Sequence, residues 1–168
     1  MSHPQELTTK YILQWFSPRW FIFVMGTGAL ANVYQLLSGQ RTGPLHMAAE
    51  AFLSLAIAVF AIAAVFMVIR LFVGLDCVLK EWRHASLIQF YATISIAAAV
   101  CATGLTNIPL SYFSPGGTKA AATFFWWIAV LDGLFFLFFI PFKVSTEHHA
   151  EPRRALGFWF LSPVGLFV

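Results

Sequence analysis

Long runs of apolar residues, separated by short polar segments, dominate the pattern along this chain. They cover residues 20–37, 47–73, 85–105 and 120–142, and charged side chains are nearly absent from all four. A helix needs about 20 apolar residues to cross a bilayer, and a helix of a soluble protein rarely stays apolar on every side for that length. The pattern therefore predicts four complete transmembrane helices.

A further apolar run begins at Leu156 and continues to Val168. It is too short to cross a bilayer, so we expect residues 156–168 to be the start of a fifth span and the chain to be a piece of a longer protein. The loops between the runs are short, which favours consecutive helices packed as antiparallel hairpins. The predicted fold is an all-α integral membrane protein in which residues 1–168 form a single membrane domain.

The overall composition supports the same fold class. The chain is 60% hydrophobic and only 10% charged, which leaves too little polar surface to solvate a globular domain. The net charge of +3 comes from basic residues scattered among the segments next to the spans. Such a distribution predicts contact with lipid headgroups and no binding of nucleic acid.

The positions of the basic residues predict how the chain is oriented. Eight of them lie in the N-terminal segment, the second loop and the fourth loop, whereas two lie in the first and third loops. Because cytoplasmic segments carry the excess of lysine and arginine, we expect the N-terminus and the second and fourth loops to be cytoplasmic, with the protein in the cell membrane. The larger group comprises Lys10, Arg19, Arg70, Lys80, Arg83, Lys143, Arg153 and Arg154, and the smaller group Arg41 and Lys119.

The sequence carries no pattern typical of an enzyme or a cofactor protein. Membrane haem needs imidazoles that face each other within the bundle, whereas the five histidines lie at span ends or in the N-terminal tail. Gly-rich phosphate loops, zinc-protease motifs and nucleophile elbows are absent from the sequence. His148 and His149 lie beside two glutamates, but a solvated loop explains them more simply. We therefore expect no catalysis, no cofactor and no metal site.

Polar residues within the spans are the candidates for function, because lipid makes them costly to bury. Gly26 and Thr27 lie in the middle of the first run, and Thr93 and Ser95 bring hydroxyls into the third. These small, uncharged groups suit a pore that passes anions through weak hydrogen bonds. The alternatives are helix packing through small residues and hydroxyls bonded to their own helix.

Two larger polar side chains, Asn32 and Asp132, are predicted to be buried in the bundle. Asp132 is the one acid deep in a span. We expect it to form an interhelical hydrogen bond with Asn32, Thr27 or a hydroxyl of the third span, and proton coupling is the functional alternative.

A short internal repeat links the first and fifth runs. Each contains a Ser-Pro pair after an aromatic cluster, Ser17-Pro18 in one and Ser162-Pro163 in the other. Proline-interrupted spans at corresponding positions often line the substrate path of a transporter. Ser162 therefore joins the pore-lining candidates, and Pro163 is predicted to kink its helix.

Three segments together resemble one family of membrane proteins. Phe16 to Phe21, running into Val24 to Gly28, is similar to its opening helix, His84 to Thr93 to the start of its third helix, and Trp159 to Val164 to its fifth. The family is that of tellurite-resistance/dicarboxylate transporters, which includes the bacterial tellurite-resistance channel, malic acid and sulfite transporters, and the slow anion channels of plant guard cells.

The resemblance implies a particular architecture. Members have ten transmembrane helices in five hairpins, with odd helices bent at proline around a central pore, even helices outside, and three subunits with one pore each. This chain would supply the first four helices and part of the fifth. Two features depart from the family. Ala85 follows His84 where proline is frequent. The phenylalanine that plugs the family's pore belongs to the ninth helix, which is not among the helices that this chain would supply.

The sequence therefore predicts transport of small anions through a helix-lined pore. The resemblance implies C4-dicarboxylates such as malate, or inorganic oxyanions such as sulfite or tellurite, as the candidate substrates. The predicted partners are this substrate and membrane lipid, and the resemblance implies a homotrimer. The competing hypothesis is a membrane scaffold that transports nothing, or a truncated relic of such a transporter.

Overall fold

Long helices make up most of the structure. The computed structural model describes residues 16–39 and 42–147, and no β-strand occurs within these ranges. Among the described residues, four helices are long and apolar enough to cross a membrane, and the first and third of these spans include short 3-10 segments. This confirms the predicted all-α membrane fold. The α-helices are α1 (Phe21–Ser38), α2 (Pro44–Val73), α3 (Leu75–Trp82), α4 (Ala85–Ile88), α5 (Thr93–Asn107) and α6 (Pro115–Glu147).

The α-helices extend beyond several of the apolar runs. α2 begins at Pro44, where the missing N–H of proline is no loss because the first helical residues have no intrahelical acceptor. α6 continues through Pro141 to Glu147, although the apolar run ends at residue 142. The predicted fifth span, residues 156–168, lies outside the described residues together with Ser162 and Pro163.

Two glycines flank the connection between α1 and α2. Gly39 caps the C-terminal end of α1, and its N–H donates to the carbonyl oxygen of Gln35. Its φ of +57° lies in the left-handed region that favours glycine. Gly43, which precedes α2, has a φ of +113°. Because side chains rarely adopt such angles, glycine at both positions makes the short connection between the first two spans possible.

The third span is not one continuous α-helix. α4 gives way to a 3-10 segment, Gln89–Ala92, before α5 begins at Thr93. The sequence predicted an uninterrupted run, because neither proline nor glycine marks this interruption. Two contacts with distant parts of the chain hold it instead. The Thr93 hydroxyl donates to the carbonyl oxygen of Pro18 (3.1 Å), and the phenol of Tyr91 donates to the carboxylate of Glu81 (2.9 Å).

α5 forms the centre of the described bundle. In the most apolar stretch of the third span 67% of the residues are buried, against 22–28% in the other three spans, and α5 contacts α1, α2 and α6. Glycines bring the neighbours close: a Cβ on Gly28 would lie 2.6 Å from Val100 Cγ1, and one on Gly104 would lie 2.5 Å from Leu53 Cδ1. Small residues at such crossings let helix backbones approach in a membrane.

Two hydrogen bonds connect α2 to the loop between α5 and α6 at one end of the bundle. The carboxylate of Glu50, in the first turns of α2, accepts a hydrogen bond from the backbone N–H of Ser111. One turn further along α2, the hydroxyl of Ser54 is hydrogen-bonded to the phenol of Tyr112. The third loop is therefore tied to the start of the second span.

Cysteine labelling tests the predicted orientation. Lys80 on α3 and Gly116 on α6 are exposed at opposite ends of the bundle, and a Cβ on Gly116 meets no atom within 4 Å. In a Cys77→Ser background, we expect a membrane-impermeant maleimide to label Gly116→Cys in intact cells and Lys80→Cys only after permeabilisation. The reverse result would place the N-terminus outside. Native Cys101 is buried in α5 and serves as the internal negative control.

Candidate functional site

Gly26 and Thr27 lie on an open groove along α1, which we call the α1 groove. Its volume is about 670 Å³. Gly26 is exposed, and a Cβ added to it would meet no atom within 4 Å. The groove is lined by Arg19, Trp20, Ile22, Phe23, Gly26, Thr27 and Leu30. Two of the predicted pore-lining residues are thus adjacent on one accessible surface.

The hydroxyl of Thr27 is bonded within its own helix. It lies 2.9 Å from the carbonyl oxygen of Phe23 and 3.2 Å from that of Val24. This is the back-bonding that serine and threonine commonly adopt in helices. To donate to an anion in the α1 groove, the hydroxyl would have to rotate away from these carbonyls, so the site offers a weak and exchangeable donor.

Thr93 and Ser95 lie in the interior of the bundle, apart from the α1 groove. Thr93 is 0% exposed and Ser95 is 1% exposed. The Thr93 hydroxyl donates to Pro18, as described above, and the Ser95 hydroxyl donates to the carbonyl oxygen of Ala92 (2.7 Å). The structure therefore does not bring the third-span hydroxyls together with Gly26 and Thr27 on one surface, and their part in a pore stays a prediction.

The two large polar side chains bridge α5 to its neighbours at different places. Asn32 Nδ2 donates to the carbonyl oxygen of Gly28 (3.0 Å) and lies 3.5 Å from that of Val100. The carboxylate of Asp132 on α6 faces the backbone N–H of Ser95, so its described polar contact with the third span is through the backbone. Among residues 16–39 and 42–147, Asn32 Oδ1 and Asp132 Oδ2 are buried and have no hydrogen-bond partner.

A second groove, between α5 and α6, contains several polar groups that were not among the predicted pore-lining residues, although Thr103 belongs to the hydroxyl-bearing set of the third span. Its volume is about 800 Å³. Thr103, Thr106 and Asn107 line one side and Lys119 and Thr123 the other. The spacing of 103, 106 and 107 places three polar residues on one helical face, which is the signal that could have identified them.

A buried ion pair joins the second span, the second loop and the third span. Arg70, at the end of α2, is 1% exposed. Its Nη1 and Nη2 donate to Glu81 Oε2 and Oε1 at 2.9 and 2.7 Å, and Tyr91 donates to the same carboxylate. By sequence, Arg70 was grouped with the basic residues of the second loop. Its position inside the apolar run 47–73 was the available signal, because a charge within a span requires a partner.

The described residues offer no group of three or more histidine, cysteine, aspartate or glutamate side chains that could hold a metal ion. The histidine pair His148-His149 lies outside the described ranges.

Comparison with known proteins relates nearly the whole chain to one family. The profile of the family described as voltage-dependent anion channel matches residues 15–168. An uncharacterized transporter of Methanocaldococcus jannaschii is 29% identical over 157 residues, which cover 94% of this chain and 43% of the relative. The chain thus spans less than half the length of this curated relative. No solved structure matches significantly.

Proposed function

Because the chain belongs to the voltage-dependent anion channel family, we propose that it forms part of a pore that carries small anions across the cell membrane. We propose C4-dicarboxylates such as malate, or inorganic oxyanions such as sulfite or tellurite, as the substrates. Such transport requires no covalent chemistry and no cofactor. The N-terminus would face the cytoplasm, and three copies of the complete protein would assemble with one pore each.

The α1 groove is the observation that carries this proposal. It combines an open surface at Gly26 with a hydroxyl at Thr27, and no charged side chain of the described residues lines its middle. Conduction requires that an anion bind strongly enough to enter and weakly enough to leave. A hydroxyl that exchanges between a helix carbonyl and a passing anion satisfies both requirements.

Thr93 and Ser95 would serve the same pore from the interior. Since the Thr93 hydroxyl bonds to the carbonyl oxygen of Pro18, we propose that Thr93 fixes the start of α5 against the first span, while Ser95, bonded to Ala92, supports the interrupted third span itself. Ser162 remains a proposed pore-lining residue on the fifth span. Asn32 and Asp132 would fasten α1 and α6 to the backbone of α5, and a proton on Asp132 is the corresponding proposal for coupled transport.

Anion flux into proteoliposomes tests the proposal. The complete protein is reconstituted, and uptake of malate and of sulfite is compared for the parent, Thr27→Ser and Thr27→Phe. We expect Thr27→Ser to transport normally and Thr27→Phe to lose most of the flux, because the phenyl ring fills the α1 groove beside Gly26. Val65→Phe, which adds bulk to an exposed position of α2 outside the groove, is the matched control.

Two outcomes would contradict the proposal in different ways. Normal flux through Thr27→Phe would remove α1 from the conduit. If neither malate nor sulfite nor tellurite moves through the parent protein, the scaffold hypothesis replaces transport.

A further inference from the structure

Arg19 belongs to the 3-10 segment Pro18–Trp20, which makes two contacts with the interrupted part of the third span. Its guanidinium carbon lies 4.7 Å from the centroid of the Phe90 ring, and Phe90 belongs to the 3-10 segment Gln89–Ala92. Beside this contact, the buried hydroxyl of Thr93 holds the carbonyl oxygen of Pro18. The position of Arg19 is therefore set by tertiary structure, unlike that of a free surface arginine.

The guanidinium remains available to a ligand. Arg19 is exposed and lines the α1 groove with Gly26 and Thr27. Within the described part of the chain no carboxylate forms a salt bridge with it, whereas both Nη atoms of Arg70 donate to Glu81. The contact between the guanidinium carbon of Arg19 and the Phe90 ring leaves the N–H groups of this guanidinium available to the oxygens of a carboxylate or an oxyanion.

The distance along α1 assigns Arg19 to the mouth of the groove and not to its middle. With a rise of about 1.5 Å per residue, Thr27 lies about 12 Å further along the axis. An anion on Arg19 would therefore have to leave it to reach Thr27. A single exposed charge at an entrance raises the local concentration of counter-ions without trapping them inside.

We infer that Arg19, whose guanidinium lies over the Phe90 ring, is the residue that first binds the anion at the predicted cytoplasmic mouth of the α1 groove. The ligand is a small carboxylate or oxyanion. This inference rests on the proposed function. It adds the residue that recruits the substrate, Arg19, and the side of the membrane on which recruitment takes place, the predicted cytoplasmic side.

Directional flux separates recruitment from a structural role. In vesicles of neutral lipid, we expect Arg19→Gln to raise the KM for malate severalfold when the predicted cytoplasmic side faces the substrate, with little change in maximal rate or in transport from the other side. The difference should shrink as ionic strength rises. Arg19→Lys should be intermediate, because it keeps the charge but loses the planar pair of donors. Arg83→Gln, at an exposed position outside the groove on the same end, should leave KM unchanged.

A binding measurement keeps the inference testable if no flux is found. In detergent at constant ionic strength, malate or sulfite should raise the thermal unfolding temperature of the parent and of Arg83→Gln, but not that of Arg19→Gln. Stabilisation without flux would reject transport while supporting anion binding at Arg19. Equal stabilisation of all three proteins, or none of the parent, would overturn the inference.

The flux data can also overturn it. An equal loss of maximal rate from both sides in Arg19→Gln would show that Arg19 only holds the fold. If the variant differs from the parent solely in vesicles of anionic lipid, its ligand is a lipid headgroup and not the transported anion.

Discussion

Replacement of Glu81 by leucine is expected to lower the free energy of unfolding by about 3–5 kcal/mol, because it leaves the buried charge of Arg70 without its counter-ion. Arg70 is 1% exposed and Glu81 17%. Among the described residues, the Nε of Arg70 has no hydrogen-bond partner. The two hydrogen bonds from Nη1 and Nη2 to Glu81 are therefore the contacts that compensate this buried charge. Thermal unfolding in mild detergent or bicelles, followed by circular dichroism, measures the loss.

The double variant Arg70→Met with Glu81→Leu is the control for this prediction. It removes both charges and fills the site with apolar side chains of similar length, so we expect it to recover most of the lost stability. Tyr91→Phe removes only one hydrogen bond to the same carboxylate and should cost about 1 kcal/mol. If the double variant is as unstable as Glu81→Leu, the cost comes from packing and not from the unpaired charge.

Gly28→Ala is expected to destabilise the bundle by about 1–3 kcal/mol, the usual cost of adding a methyl group to a packed contact. The new Cβ would lie 2.6 Å from Val100 Cγ1, and the branched valine side chain cannot swing aside as a long flexible one would. α1 and α5 must therefore move apart. The same unfolding measurement in detergent detects this change.

Gly26→Ala is the matched control, because it adds the same methyl group to the same helix where no atom lies within 4 Å. It should be neutral or slightly stabilising, since alanine favours a helix over glycine. Gly28→Ala combined with Val100→Ala restores the space and should regain part of the stability. Equal effects of the two single glycine variants would show that helix propensity, and not the crossing of α1 and α5, determines the outcome.

The membrane fold could be predicted from sequence because the thickness of a bilayer fixes how long an apolar helix must be. Four complete runs appear in the sequence, and the described residues contain four candidate spans. The interruption of the third span could not be predicted in the same way. The contact between Thr93 and Pro18 joins residues 75 positions apart, and local propensity carries no record of such a contact.

The candidate site was predictable only in part, for a related reason. Gly26 and Thr27 were identified because small and polar residues are conspicuous in an apolar run. The direction in which a hydroxyl points is set by helix packing, so the sequence did not distinguish the exposed Gly26 from the buried Thr93 and Ser95. The pairing of Arg70 with Glu81 depends on the fold of the short helix α3, which the apolar pattern does not describe.

The central position of α5 bears on how the protein is made. Its inner faces are covered by protein, so this span gains less from contact with lipid alone than the strongly apolar α2 does. The first hairpin leaves the ribosome before α5 and presents the Gly28 and Leu53 surfaces against which α5 packs. Because the first hairpin precedes α5 along the chain, the surface against which α5 packs is already in the bilayer when α5 emerges. Assembly can therefore proceed during synthesis, in the order of translation.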